Sequence, residues 1–253
     1  MRQKTAIIFF TLWALSPTLA QELTGDQIIE RVDEIMNPQQ MQAEMTMIIE
    51  TSSGELREFV YQSYSKNHGE KNLMRYLKPS KLRGNGTLML NYSDDIWAYF
   101  HKTKRVRKLA EHAKRQKMEG SDFSYEDMGS GNAFVMDYAA ERLEDEKVEG
   151  IDCYVVELTR KENSDAGYSR LIMWVDKSNF VPLMLDYYDL KDAELKLKYL
   201  TMSDVEVIQG IPTPKRMVMT NTLDNSQTMM EINSVNYEVD LDDNLFTERG
   251  LRE

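Results

Sequence analysis

The chain has 253 residues, with 42 acidic against 31 basic, a formal net charge of −11 and 42% hydrophobic positions. A balance this acidic repels nucleic acid and anionic membrane surfaces, so neither is an expected partner for the chain as a whole. The single cysteine, Cys153, excludes an internal disulfide, and stability must come from a packed core.

Met1 to Lys4 is short and basic, Ala6 to Leu15 is apolar, and Thr18-Leu19-Ala20 offers a small-x-small cleavage site before Gln21. This reads as a secretory signal over residues 1–20, cleaved to release an exported protein. The apolar run stops at Ser16-Pro17, short of the about 18 residues that a membrane span needs. Gln21 supplies no thiol for a lipid anchor. No linker rich in Pro, Gly or Ser divides the remainder, so residues 21–253 are read as one domain.

Thr24 with Gln27 three residues on predicts a capped helix start, and Ile28, Ile29, Val32, Ile35 and Met36 share one helical face before Asn37-Pro38 ends it. From Met41 the period changes to two: Met41, Ala43, Met45, Met47 and Ile49 alternate with polar positions. Ser52-Ser53-Gly54 turns the chain into a returning strand, Leu56 to Tyr64, and Asn72 to Tyr76 forms another.

Leu77 to Met128 is the most varied stretch. Pro79, Gly84 and Gly86 mark a loop, and a hairpin follows, Thr87 to Tyr92 and Ile96 to Phe100, closed by Ser93-Asp94-Asp95. Both faces of both strands carry large apolar groups, which predicts a sheet covered on each side. Lys102 to Lys117 then reverses the local charge: eight basic residues are opposed only by Glu111. Such a run is either a solvated face or a docking patch for an anionic partner.

Beyond the Gly129-Ser130-Gly131-Asn132 break, Ala133 to Leu143 has helical composition and Glu141 to Glu149 is acidic. Strands recur from there: Cys153 to Leu158, Ser169 to Val175, Val181 to Tyr188, Glu194 to Thr201, Val205 to Ile208, Arg216 to Thr222 and Thr228 to Val239. About eleven or twelve closely spaced strands with two helical regions predict an α+β, mainly β fold, a curved antiparallel sheet with helices on one face.

The residues nominate no catalytic centre. His68, His101 and His112 are isolated, no metal-ligand spacing occurs, and no serine sits in a nucleophile-elbow frame. Methionine is abundant, with 17 residues, many of them on strands. Flexible, polarizable thioethers fill ordinary cores, and they equally suit a surface that accepts ligands of variable shape.

Leu77-Lys78-Pro79 with Arg83-Gly84-Asn85-Gly86, Ile96 to Phe100 running into Lys104 to Arg107, and Gly120-Ser121-Asp122-Phe123-Ser124-Tyr125-Glu126-Asp127 form an ordered set. Together with Pro212 to Met219 and Asp242 to Leu251, this set resembles the outer-membrane lipoprotein-sorting protein family of the LolA-like superfamily. One departure is His101-Lys102-Thr103, where the family has a Pro-containing stretch.

The resemblance implies an incomplete antiparallel β-barrel whose helices cover a concave, apolar face. It implies a periplasmic carrier of lipid or lipidated cargo, a monomer when free, without catalytic residues or cofactor. It also implies an inner-membrane transporter of the RND or MMPL type as partner. On this basis Met45, Met47, Tyr61, Met89, Trp97, Tyr99, Met173, Leu185 and Tyr187 are candidate cavity residues, Phe123 and Tyr125 candidate lid residues, and Arg105, Arg107 and Lys108 a candidate docking patch. Either face of a given strand could be the inner one, since a one-residue slip exchanges them. An adaptor that docks a transporter without carrying lipid is the alternative reading.

Overall fold

The computed structural model describes residues 22–253 apart from Ser130 and Asn132; the expected signal segment lies outside the described residues. The first helix, α1 (Gly25–Met36), starts on the expected capping box. Thr24 Oγ1 accepts the Gln27 N–H at 3.3 Å, and Gln27 Oε1 accepts the Thr24 N–H at 3.0 Å. Ile28, Ile29 and Val32 are buried on one side of it. Gly25 is required by close approach: a Cβ there would lie 2.6 Å from the Ala140 carbonyl oxygen.

Six strands follow, β1 (Gln40–Glu50), β2 (Leu56–Lys66), β3 (Lys71–Lys78), β4 (Gly86–Leu90), β5 (Asp95–Phe100) and β6 (Arg105–Lys108). Two short 3-10 turns, Glu111–Arg115 and Met118–Gly120, lead to α2 (Tyr125–Gly129) and α3 (Ala133–Asp137). The second half is β7 (Tyr138–Arg142), β8 (Glu146–Val148), β9 (Ile151–Arg160), β10 (Arg170–Asp176), β11 (Pro182–Tyr188), β12 (Lys196–Ile208), β13 (Ile211–Asn221) and β14 (Ser226–Asn236).

All fourteen strands join one antiparallel sheet in the order β6-β5-β4-β3-β2-β1-β14-β13-β12-β11-β10-β9-β7, with β8 beside β9. β14 pairs with β1 and stitches the two meanders together. The terminal strands β6 and β7 do not meet, so the curved sheet stays open as an unclosed barrel.

Five strands differ from the sequence expectation. Ala133 to Leu143 divides: α3 takes its first residues, and the rest becomes strand β7, where pairing with β9 overrides the helical preference of Ala and Glu. The segments Glu194 to Thr201 and Val205 to Ile208 merge into the single 13-residue β12. β13 begins five residues before Arg216 and runs through two prolines. The end of the basic run's first half pairs with β5 as β6, and the acidic stretch contributes the exposed β8.

The sheet carries apolar clusters on both faces. The main core lies under the helices and includes Ile28, Val32, Met47, Tyr61, Met89, Leu158, Met173 and Met219. A smaller cluster on the opposite face of β3–β5 joins Leu73, Leu88 and Tyr99 to Leu241, Phe246 and Leu251 of the C-terminal segment. That segment is tied down by Lys66 Nζ to the Leu241 carbonyl at 2.6 Å and by Arg75 Nη2 to the Gly250 carbonyl at 2.5 Å. The hairpin with two apolar faces is therefore covered twice, as its composition required.

Candidate functional site

An apolar cavity of about 260 Å³ opens on the helix-covered face. Val32, Ile35 and Met36 of α1, Met41 and Met45 of β1, and Phe134 of α3 form one part of its wall. Leu171, Leu185, Tyr187, Leu200, Met202, Met217, Met230 and Ile232 form the sheet side. Among the described residues seven methionines line it, a thioether density suited to walls that reshape around a flexible chain.

Asn37, Pro38, Gly131, Pro212 and Tyr237 are part-exposed lining residues, which places the opening where β1 starts and β12 turns into β13. At this end the sheet comes apart. β13 pairs with β14 only from Arg216 onward, so Ile211 to Lys215 bond to β12 alone. Pro212 and Pro214 have no N–H to offer a second neighbour, which is why prolines are tolerated inside this strand. Across the seam the hydroxyls of Thr213 and Tyr237 are 2.9 Å apart.

The covering segment, Gly120 to Gly129, is pinned by a buried polar network. Lys198 Nζ lies 2.5 Å from Asp127 Oδ2, with the two side chains 8% and 2% exposed, and also donates to the Asp122 carbonyl at 3.0 Å. Tyr168 donates its hydroxyl to Asp127 Oδ1 at 2.9 Å, and the Tyr168 and Tyr187 rings each lie 5.2 Å from the Lys198 ammonium. The Asp122 carboxylate accepts from Ser226 Oγ, Thr228 Oγ1 and Lys117 Nζ. Burial pushes the Glu126 carboxyl up to about 7, although the Gly167 N–H bonded to it acts the other way.

Of the sequence-predicted residues, Met45, Leu185, Tyr187 and Phe123 line this cavity. Met47, Tyr61, Met89 and Met173 lie in the packed core under the same covering elements, where they are fully buried and do not reach the cavity. Met47 stands opposite Phe59 on β2 and Met230 on β14, and the Tyr61 hydroxyl donates to Met230 Sδ at 3.2 Å. Tyr125 packs against that core rather than into the cavity.

Trp97 and Tyr99 require a correction, because they sit on the other side of the sheet in the cluster covered by the C-terminal segment. Their neighbour Ile96 takes the helix-covered side. With both faces apolar, alternation alone could not tell which set pointed inward.

The basic run is not one patch. Lys114 is buried and paired with Asp94 and Asp165, Arg115 donates to the Asp165 carbonyl, and Lys117 pairs with Asp122 and Asp224. Arg105, Arg107 and Lys108 remain on the edge strand β6, with Lys108 paired to Asp95 and the Arg107 guanidinium 5.7 Å from the Phe100 ring centre. Reading by sequence missed Ile35 and Met36 as lining, although their apolar face extends past what the helix start buries. It also missed Phe134 and the seam residues.

An open, curved antiparallel sheet with helices over an apolar hollow defines the LolA-like class. A protein-family model described as "Uncharacterized protein" matches residues 68–253. No curated protein matches the sequence. Among solved structures, a DUF1329 family protein from Desulfovibrio piger is 30% identical over 90% of this chain and 97% of that one, with a TM-score of 0.82. A putative outer membrane lipoprotein-sorting protein domain from Vibrio parahaemolyticus is 26% identical over 90% and 98%, with a TM-score of 0.81. A LolA superfamily protein from Nitrosomonas europaea is 26% identical over 90% and 100%, with a TM-score of 0.76. The chain belongs to the DUF1329 family, has the LolA-like fold, and is similar to outer-membrane lipoprotein-sorting and LolA superfamily proteins.

Proposed function

We propose that this protein is a periplasmic carrier that shields the hydrocarbon of a lipid or lipidated cargo in its apolar cavity and passes it between envelope components. The observation that supports this most is the methionine-lined hollow that opens where the sheet parts between β13 and β14. An acyl chain in water costs about 0.8 kcal/mol per methylene, or on the order of 12 kcal/mol for some fifteen of them. A protein crossing an aqueous compartment with such cargo must therefore cover it. At about 260 Å³ the cavity lies just below the ~300–1,000 Å³ usual for ligand sites, so a long chain enters by displacing flexible methionines.

Cleavage after Ala20 delivers residues 21–253 as one folded domain to the periplasm. Among the described residues no helix is long and apolar enough to cross a membrane. Arg105, Arg107 and Lys108 on the uncovered edge strand suit an acidic face of an RND- or MMPL-type transporter, and Phe123 with the Gly120 to Gly129 segment acts as the lid. Native mass spectrometry of protein purified without detergent, followed by uptake of a fluorescent fatty acyl probe, tests the carrier. Bound lipid or saturable uptake is expected. A protein that is empty and takes up no probe would instead be an adaptor.

A further inference from the structure

At the end of the sheet opposite the cavity opening, where β12 begins and β13 ends, lies a second pocket of about 230 Å³ with charged side chains in its lining. Arg115, Lys117 and Lys198 line it, and Glu126 and Tyr168 line both this pocket and the apolar cavity. The two spaces thus share a wall, one side facing mainly apolar side chains and the other facing three cations together with the carboxylates of Asp122, Glu126 and Asp224.

The charges in the pocket are unequally committed. Lys198 is neutralised by Asp127. Asp122 is 1% exposed at its side chain and saturated by two hydroxyls and Lys117. Lys117 leans for its other contact on Asp224, an exposed turn residue that can swing into solvent. Arg115 spends one N–H on the Asp165 carbonyl and makes no ion pair among the described residues. Its remaining fork fits an oxyanion, and guanidinium to phosphate is among the stronger charge-assisted contacts. The Glu126 carboxyl in the wall is protonated for part of the time near neutral pH, which lowers the negative charge an incoming anion meets.

We propose that this pocket receives the phosphate head of the same single-chain amphiphile whose hydrocarbon occupies the apolar cavity, with Arg115 and Lys117 as its ligands. The proposal rests on the carrier reading. The chain would pass beside Tyr168 and Glu126, and the phosphate would replace the Asp224 carboxylate on Lys117.

The test displaces a fluorescent acyl probe, below micelle-forming concentrations, with palmitoyl lysophosphatidic acid, with monopalmitoylglycerol and with glycerol 3-phosphate. The lysophosphatidic acid is expected to bind about tenfold tighter than the monoacylglycerol, a difference on the scale of one charged hydrogen bond. That preference should shrink to about twofold or less in Arg115→Gln and Lys117→Gln, and it should also shrink in the wild type as salt rises, as an exposed ion contact does. Because the salt series uses the unaltered chain, misfolding of a variant leaves the conclusion decidable. Equal affinity of the two lipids, or a preference that survives high salt and both substitutions, overturns the head-group site while leaving the carrier intact. Tight binding of glycerol 3-phosphate alone assigns the pocket to a free phosphate ester and also overturns it. If neither lipid displaces the probe, both readings fall together.

Discussion

Met45 and Met47 stand two residues apart on the same face of β1, yet one lines the open end of the helix-covered face and the other is sealed in its packed end. Both ends use the same side-chain chemistry. What separates them is the covering element. Over the packed end, Met118 is buried together with Met47, Phe59 and Tyr76, and none of the four lines the cavity. Over the open end, α1 and α3 approach a sheet that has come apart between β13 and β14. One continuous strand face is therefore sealed in the core at one end and opens onto the cavity at the other.

The contrast can be broken most forcefully at the lock between the two ends. Lys198→Met leaves the Asp127 carboxylate buried without its cation, and should cost about 3–5 kcal/mol in urea denaturation; a loss near zero would show that the pair does not hold the covering segment. Next, Met47→Ala should cost about 2–5 kcal/mol as a core truncation, while Met45→Ala, facing space already open, should cost well under that and shift acyl-probe affinity instead. Equal stability losses at the two positions would erase the distinction.

Glu126 adds a pH dependence. Its carboxyl rises from 4.5 to about 7 on folding, so between those values the folded chain keeps a proton that the unfolded chain has released. Stability contributed by this group is therefore lost as pH climbs through that window. Glu126→Gln should stabilise by about 2 kcal/mol at pH 8, with little effect near pH 4; a tenfold change in proton affinity is worth about 1.4 kcal/mol, and partial exposure of the carboxyl reduces the total. A constant difference across thermal melts from acid to alkaline pH would remove desolvation as the cause. The smallest stability effect belongs to the β6 edge. Arg105→Glu with Arg107→Glu should change folding by no more than about 0.5 kcal/mol, yet weaken, in a salt-dependent way, a pull-down of the proposed transporter partner.

How much of this was legible follows from the range of each interaction. The α1 capping box is local and was readable from Thr24 and Gln27. The hairpin with two apolar faces announced double cover, but not that the C-terminal Leu241, Phe246 and Leu251 would claim Trp97 and Tyr99. β7 was hidden because its strand conformation depends on β9, distant in sequence. Alternation identified a face shared by Met45 and Met47, and no pattern within a strand encodes where along it a lid will settle. The basic run dissolved for the same reason, since Asp94, Asp165 and Asp224 reach its lysines only in the fold.

The most direct test is a fatty acid carrying a photoactivatable diazirine on its chain, bound to the protein, irradiated and mapped by peptide mass spectrometry. Adducts should fall on the open end, at Met45, Phe134, Leu185 and Tyr187. Labelling concentrated instead on Trp97 and Tyr99, or spread over the outer surface with none in the cavity, would contradict the assignment of this hollow as the lipid site.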